Sequence, residues 1–230
     1  MTTVIACETI KDEILYAARK VKCQYPFIWF SSSLHKFPDK LQRQLQEEID
    51  KHKNEENILL LFGYCGNAVL GLSSENARLI IPKVDDCVSL LLGGNVVRKN
   101  MDSNGCAYYF TNGWMDSDSG IATEFYRCAL KYGYEKSKKL FKIMLKGYQS
   151  LDVINTGVGK LNELIRATQK FANIFGLDYK VVEGTLDVLY KALGGQWDED
   201  FVIVEPGEKV AFEQFGFCNP QPEMMDVISI

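Results

Sequence analysis

The chain has 230 residues, of which 47% are hydrophobic and 24% charged, a composition typical of a globular protein rather than a disordered or fibrous one. Its net charge of −4 at pH 7 provides no overall basic field for nucleic acid or an anionic membrane. No apolar run approaches the roughly 20 residues that span a bilayer, and the N-terminus lacks the basic and long apolar regions of a signal peptide. We therefore expect a cytoplasmic protein that binds neither nucleic acid nor membranes.

Strands and helices alternate along the first half of the chain. Short apolar runs predict strands, and an apolar residue at every fourth position predicts a helix over residues 38–53. In chain order, the pattern predicts a strand over 4–6, a helix over 11–20, a strand over 27–30, that helix over 38–53, and strands over 58–62, 79–81 and 107–110. This alternation is typical of a doubly wound parallel sheet.

A polar segment rich in helix and strand breakers, residues 116–120, predicts a hinge. The elements predicted after it are helices over 124–132 and 135–149, a strand over 152–155, a helix over 160–175, a strand over 179–182, a helix over 185–192 and a strand over 201–204. We therefore predict an α/β fold with two Rossmann-like units and a mainly parallel sheet in the first half. The units cover residues 1–116 and 121–216, followed by a tail over 217–230.

Three of the seven cysteines, Cys7, Cys65 and Cys87, each follow a predicted strand and precede a predicted helix start. Ligands of open α/β sheets bind beyond the carboxyl ends of the strands, so three thiols there could bind a metal or carry out thiol chemistry. Soft thiolates favour zinc or an iron–sulfur cluster. The alternative is that these cysteines pack as small hydrophobic side chains.

A fourth ligand is expected near the same strand ends. His35 lies between a predicted strand and helix and is the first candidate, with Asp85 or Asp86 as the others. Helix capping is the alternative for all three. The glycines of the turn around Cys65 allow close approach to a ligand. The further predicted pocket residues are Tyr64, Gly66, Asn67, Thr111 and Trp114, of which Trp114 could equally pack in the core.

At these residues the chain resembles the uncharacterised domain-of-unknown-function family numbered 1638. The resemblance rests on Cys7 with a following Glu13, on Leu34-His35, and on the later segments 63–66 (GYCG), 86–87 (DC), 111–114 (TNGW), 155–157 (NTG) and 195–198 (GQWD). It also implies that Glu13 lies in the pocket. The chain departs from the family pattern at Lys83, where arginine is expected, and at Asp85, where histidine is expected.

Members of that family are commonly encoded beside corrinoid-dependent methyltransferases for methylamines. The resemblance thus implies a role in one-carbon metabolism, with a corrinoid methyltransferase component as a partner. Together with the cysteines, it leads us to expect a metal-binding protein with a thiolate site between the two units, either an enzyme or an accessory factor acting on a small-molecule substrate. The alternative is a non-catalytic, metal-free binding module for a small ligand or a corrinoid protein.

Overall fold

The computed structural model describes residues 1–103, 105–115, 117 and 120–216. The predicted tail and most of the predicted hinge, namely Asp116, Asp118 and Ser119, lie outside the described residues. The strands are β1 (Thr2–Cys7), β2 (Phe27–Phe30), β3 (Asn57–Leu61), β4 (Arg78–Pro82), β5 (Ala107–Phe110), β6 (Ser150–Asn155), β7 (Asp178–Glu183) and β8 (Phe201–Val204). The α-helices are α1 (Lys11–Val21), α2 (Pro38–Lys51), α3 (Cys87–Leu91), α4 (Asn95–Asp102), α5 (Asn112–Met115), α6 (Ile121–Tyr132), α7 (Tyr134–Met144), α8 (Leu161–Phe175) and α9 (Asp187–Leu193). None of the described helices is long and apolar enough to cross a membrane.

The first sheet has five strands in the order β2-β1-β3-β4-β8. Its first four strands are parallel, and β8 runs antiparallel to β4 at the edge. Every residue of β3 is buried, because helices cover both faces of the sheet. The predicted α/β class and the mainly parallel sheet of the first half are confirmed.

The second sheet has three parallel strands in the order β5-β6-β7, and its pairing crosses the predicted division of the chain. The prediction grouped β5 with the first unit, but β5 pairs with β6. It grouped β8 with the second unit, but β8 pairs with β4. A short apolar run signals a buried strand without indicating its neighbours, so the sequence pattern did not reveal this exchange.

Three apolar clusters fill the layers on the sheet faces. One face of the first sheet packs against α1, α3 and α9, and the other packs against α2 through Leu41, Leu45 and Ile49. These three α2 residues recur at every fourth position, which places them on one side of the helix. Beside the second sheet, Phe125 contacts the rings of Phe141 and Phe171 edge-on.

The two sheets meet at their carboxyl edges. Helix α5, which follows β5, packs against the 3₁₀ turn Glu8–Ile10, which follows β1. The approach is so close that a Cβ atom at Gly113 would lie 2.1 Å from the carbonyl oxygen of Thr9. Farther along, the hydroxyls of Ser32 and Ser117 lie 2.8 Å apart. We call the space between the two facing edges the crevice.

Replacing Gly113 tests whether this contact holds the sheets together. Gly113→Ala should lower the free energy of unfolding by about 1–3 kcal/mol, because the added methyl group would clash with the backbone of Thr9, which cannot move aside as a flexible side chain could. Urea denaturation measures the change. Gly147→Ala is the control, since no atom lies within 4 Å of a Cβ built there. An equal loss in both variants would contradict a specific contact at Gly113.

Candidate functional site

The three strand-end cysteines lie at the same edge of the first sheet. Cys7 is the last residue of β1, Cys65 follows β3 and Cys87 opens α3 after β4. Because β1, β3 and β4 are parallel, their carboxyl ends share one edge, which borders the crevice. Cys7 and Cys87 are buried, with exposed fractions of 2% and 4%.

A chain of polar contacts links His35 to two of the thiols. The Sγ atom of Cys7 lies 2.9 Å from Nε2 of His35 and 3.0 Å from the hydroxyl oxygen of Thr9. The Thr9 hydroxyl in turn lies 3.6 Å from Sγ of Cys87 and donates to it. The two buried sulfurs therefore share one hydroxyl group, and an imidazole contacts one of them.

Burial keeps the thiols and the imidazole uncharged. Burial raises the pKa of Cys7. It also raises the pKa of Cys87 to about 12, and electrostatic repulsion from Cys7 and Asp86 adds to this effect. The pKa of Cys65 is also far above its ordinary value because of burial, and the charges of Cys87, Cys7 and Asp86 raise it further. Burial lowers the pKa of His35, although the charge of Asp86 opposes this. At neutral pH all four groups are therefore neutral.

The backbone at Cys65 is held in an uncommon conformation. Its φ angle is +48°, followed by +62° at Gly66 and +77° at Asn67. The N–H of Cys65 donates to the carbonyl oxygen of Asp85 at 2.7 Å, which anchors the turn to the loop before α3. A non-glycine residue in the left-handed region costs on the order of 1 kcal/mol, and such strain is concentrated at functional sites.

The two aspartates have structural partners. Oδ1 of Asp86 accepts from the N–H of Ser89 at 2.8 Å and caps α3, while Oδ2 accepts from Arg98 at 2.6 Å. Asp85 accepts from the side chain of Asn95 at 3.2 Å and lies toward α4. Of the three candidate fourth ligands, His35 is therefore the one in contact with a thiol.

Trp114 closes the crevice from the side of the second sheet. Its ring centroid lies 5.7 Å from that of His35, and its indole lowers the pKa of Cys87. The Nε1 atom is buried and has no hydrogen-bond partner among the described residues. Thr111 fixes the backbone here, because its hydroxyl accepts from the N–H of Trp114 at 3.3 Å.

Tyr64 does not join the thiols. Its ring packs edge-on against Phe212 and Phe215, at centroid distances of 5.6 and 5.4 Å, within the apolar cluster on the α2 face of the sheet. Gly66 and Asn67 belong to the strained turn and contribute its backbone shape.

Glu13 is a buried carboxyl group beside the crevice. Its side chain belongs to α1, it is 2% exposed, and its Oε1 atom accepts from the hydroxyl of Thr156 at 3.3 Å. The Oε2 atom has no hydrogen-bond partner among the described residues. Burial raises the pKa of this carboxyl from 4.5 to about 7.

Sequence reasoning missed three residues that organise the site. Thr9 joins the two thiols, Arg98 holds Asp86, and Thr156 contacts Glu13 from the second sheet. Thr9 and Thr156 could have been found from their positions directly beyond strand ends. The role of Arg98 has no local signal, because its partner lies 12 residues away on another helix.

The side chains are not arranged as a formed metal centre. Among the described residues, no group of three or more His, Cys, Asp and Glu side chains has the arrangement needed to hold a metal ion. The Cys7 and Cys87 sulfurs instead contact the Thr9 hydroxyl. The arrangement is a buried, neutral thiol–imidazole cluster with a third thiol in its electrostatic field.

The raised pKa of Glu13 predicts a pH-dependent stability. Between pH 4.5 and about 7 the folded protein holds a proton that the unfolded chain has released, so the free energy of unfolding falls as pH rises through this window. Glutamine does not ionise, so Glu13→Gln should not show the decrease in the free energy of unfolding, on the order of 3 kcal/mol, that the wild type shows across this window. Urea denaturation at several pH values measures it, with Glu47→Gln on the exposed side of α2 as the control. Identical pH profiles for wild type and Glu13→Gln would contradict the assignment.

Comparison with known proteins supplies a family but no activity. The family model described as a protein of unknown function (DUF1638) matches residues 29–193, which include His35, Cys65, Cys87 and Trp114. No curated protein and no solved structure matches the chain. The match covers well over half of the 230 residues, and the chain therefore belongs to the DUF1638 family.

Proposed function

We propose that the protein binds a metal through Cys7, Cys65 and Cys87, with His35 as the fourth ligand. The observation that carries the proposal is the 2.9 Å contact between the Cys7 sulfur and the His35 imidazole, beside a second buried thiol reached through Thr9. Soft thiolates with one imidazole suit zinc or an iron–sulfur cluster.

The protonation states favour a metal ligand over a metal-free nucleophile. A reactive cysteine needs a lowered pKa, usually beside a positive charge, and some exposure. Cys7 has a raised pKa, its neighbour His35 is kept neutral, and the thiol is 2% exposed. A neutral imidazole is the form that binds metal, and thiols release their protons as the metal binds.

Electrostatics in the crevice also support a bound cation. Cys7 and Cys87 are buried and Cys65 is half-buried, so each ionised thiol would meet the negative charges of the others and of Asp86 with little water between them, which raises the thiol pKa values. A metal ion would reverse this effect and favour the thiolates.

Metal binding would require rearrangement of these side chains. Metal–sulfur bonds are about 2.3 Å long, so the Cys7 and Cys87 sulfurs would exchange their contacts with Thr9 for the metal. Asp86 is already engaged by Ser89 and Arg98, which leaves His35 as the better fourth donor. Thr111 and Trp114 would exclude water from the second-sheet side of the site.

The wider role follows the expectation from the family resemblance. With all four side chains bound, the metal would have no open position and would supply a metal-bound thiolate; an open position for Lewis-acid chemistry would require His35 to leave the metal. We propose that a cytoplasmic enzyme or accessory factor uses the metal site on a small-molecule substrate in methylamine or corrinoid-linked one-carbon metabolism, with a corrinoid methyltransferase component as the partner. The support for this assignment is the family resemblance alone.

The metal assignment predicts a stoichiometric site that depends on Cys65. Protein purified anaerobically and reconstituted with zinc or with iron and sulfide should contain about one site per chain, by elemental analysis. Cys65→Ser should lose most of the metal and keep its circular dichroism, because serine preserves size but not the soft thiolate. Metal affinity should fall as pH is lowered, since the raised thiol pKa values make protons strong competitors.

Cys128→Ser is the matched control, because Cys128 is a half-buried thiol on α6 outside the crevice. Equal metal loss in both variants would indicate general unfolding. No stoichiometric metal in the reconstituted wild type would refute the proposal and favour the metal-free binding module.

Alkylation of the metal-free protein separates a ligand from a nucleophile. With limiting iodoacetamide near neutral pH, we expect Cys106 to react first among the six cysteines that the structure describes and Cys7 and Cys87 to resist, because burial keeps them protonated and shielded. Peptide mass spectrometry gives the order of modification among these cysteines. Preferential modification of Cys7 would instead indicate an activated nucleophile.

A further inference from the structure

Helices α6 and α7 form a hairpin, residues 121–146, whose charge is opposite to that of the whole chain. The hairpin contains seven basic and two acidic side chains, whereas the chain has a net charge of −4. One of the acids, Glu124, forms an ion pair with Lys36. The hairpin has six lysines, and none of them forms an ion pair with another described residue. They are Lys131, Lys136, Lys138, Lys139, Lys142 and Lys146.

Apolar side chains are exposed among these lysines. Leu130 is 91% exposed and Ile143 is 72% exposed. The end of α6, the single connecting residue Gly133 and the start of α7, residues 132–136, are all exposed. Further large apolar or aromatic side chains are exposed on the hairpin, namely Tyr126, Tyr132, Tyr134, Leu140 and Met144. Exposed apolar groups clustered in this way mark a binding surface.

A groove beside α7 has a volume of about 660 Å³, which is large enough for a side chain or an acyl segment. Leu145, Tyr148 and Phe175 contribute to its apolar lining, and Lys139 and Lys142 stand among them. Positive charge and apolar surface are therefore interleaved along the same helix.

We propose that the α6–α7 hairpin binds the surface of an anionic membrane. Leu130 and the neighbouring tyrosines would enter the boundary between headgroups and acyl chains, and Ile143 would follow on α7. The lysines would contact lipid phosphate or carboxylate groups. An amphipathic helix with lysines beside large apolar side chains binds membranes in this way, and tyrosine is favoured at the interface.

The observations favour a membrane over the other occupants. A second copy of the chain docked hairpin to hairpin would bring two basic surfaces together, which is unfavourable. A nucleic acid would leave Leu130 and Ile143 without an apolar counterpart. A protein partner would need pockets for the protruding Leu130 and Ile143 side chains, whereas a bilayer accepts them without pockets. The sequence expectation of no membrane binding rested on the net charge and on the absence of a membrane-spanning apolar run, and neither of these tests a local surface.

Vesicle co-sedimentation of the full chain tests the proposal. Vesicles of phosphatidylcholine with phosphatidylserine should bind the protein, and vesicles of phosphatidylcholine alone should not. Binding should weaken as salt is raised, because the lysine contribution is screened. The double variant Lys139→Ala/Lys142→Ala should lower affinity about tenfold, since each lysine near an anionic surface contributes a several-fold factor.

Matched variants separate the apolar and basic contributions. Ile143→Ser should weaken binding, whereas Val96→Ser should not, because Val96 on α4 is equally exposed at 73% but lies outside the hairpin. Lys40→Ala/Lys99→Ala, at exposed lysines of α2 and α4, is the control for the double lysine variant. Circular dichroism of each variant verifies the fold, and the two wild-type vesicle measurements decide the question even if a variant misfolds.

Three results would overturn the proposal. The first is no difference between anionic and neutral vesicles. The second is binding to soluble heparin that matches vesicle binding and is unaffected by Ile143→Ser, which would indicate a simple polyanion site. The third is a concentration-dependent dimer in sedimentation velocity that Ile143→Ser abolishes, without vesicle binding, which would make a second copy the occupant.

Discussion

The close backbone contact between Gly113 and the Thr9 carbonyl brings together the carboxyl ends of the parallel strands of the two sheets. Two sheets that face each other in this way enclose a space lined by strand ends, which is where α/β proteins bind ligands. The contact also explains why water is excluded from Cys7 and Cys87. Gly113 anchors the helix that carries Trp114, and Trp114 covers the side of the crevice opposite these two thiols.

The exclusion of water determines the protonation states of the thiol–imidazole cluster. Burial removes the water that would stabilise thiolates and an imidazolium ion, so the groups remain neutral and share hydrogen bonds through Thr9. In the same low-dielectric environment, any charge interacts more strongly with the groups around it. A cation would therefore have a large effect on the thiols, whereas an isolated thiolate nucleophile would be disfavoured. The strained backbone at Cys65 indicates that the turn is held in place by its bond to Asp85 rather than by local preference.

Net charge and local charge lead to different conclusions about partners. The whole chain is acidic, which argues against a general affinity for anions. The α6–α7 hairpin concentrates lysines and exposed apolar side chains on one element. Electrostatic attraction acts over about 10 Å at moderate ionic strength, so a partner responds to this surface rather than to the sum over the molecule.

The sequence by itself determined the α/β class, the eight described strands, six of the nine described α-helices, and the position of Cys7, Cys65 and Cys87 at or beyond strand ends, because apolar periodicity and local breakers are encoded along the chain. The short helices α3, α4 and α5 were not predicted. The tertiary structure decided which strands pair. It placed β5 in the second sheet and β8 in the first, a choice that depends on contacts between segments far apart in sequence. It also decided that His35 contacts a thiol while Asp86 caps α3 and binds Arg98, and that Thr9 and Thr156 line the crevice. A side chain's partner across a crevice depends on the packing of whole layers, and the residues next to it in sequence do not specify that packing.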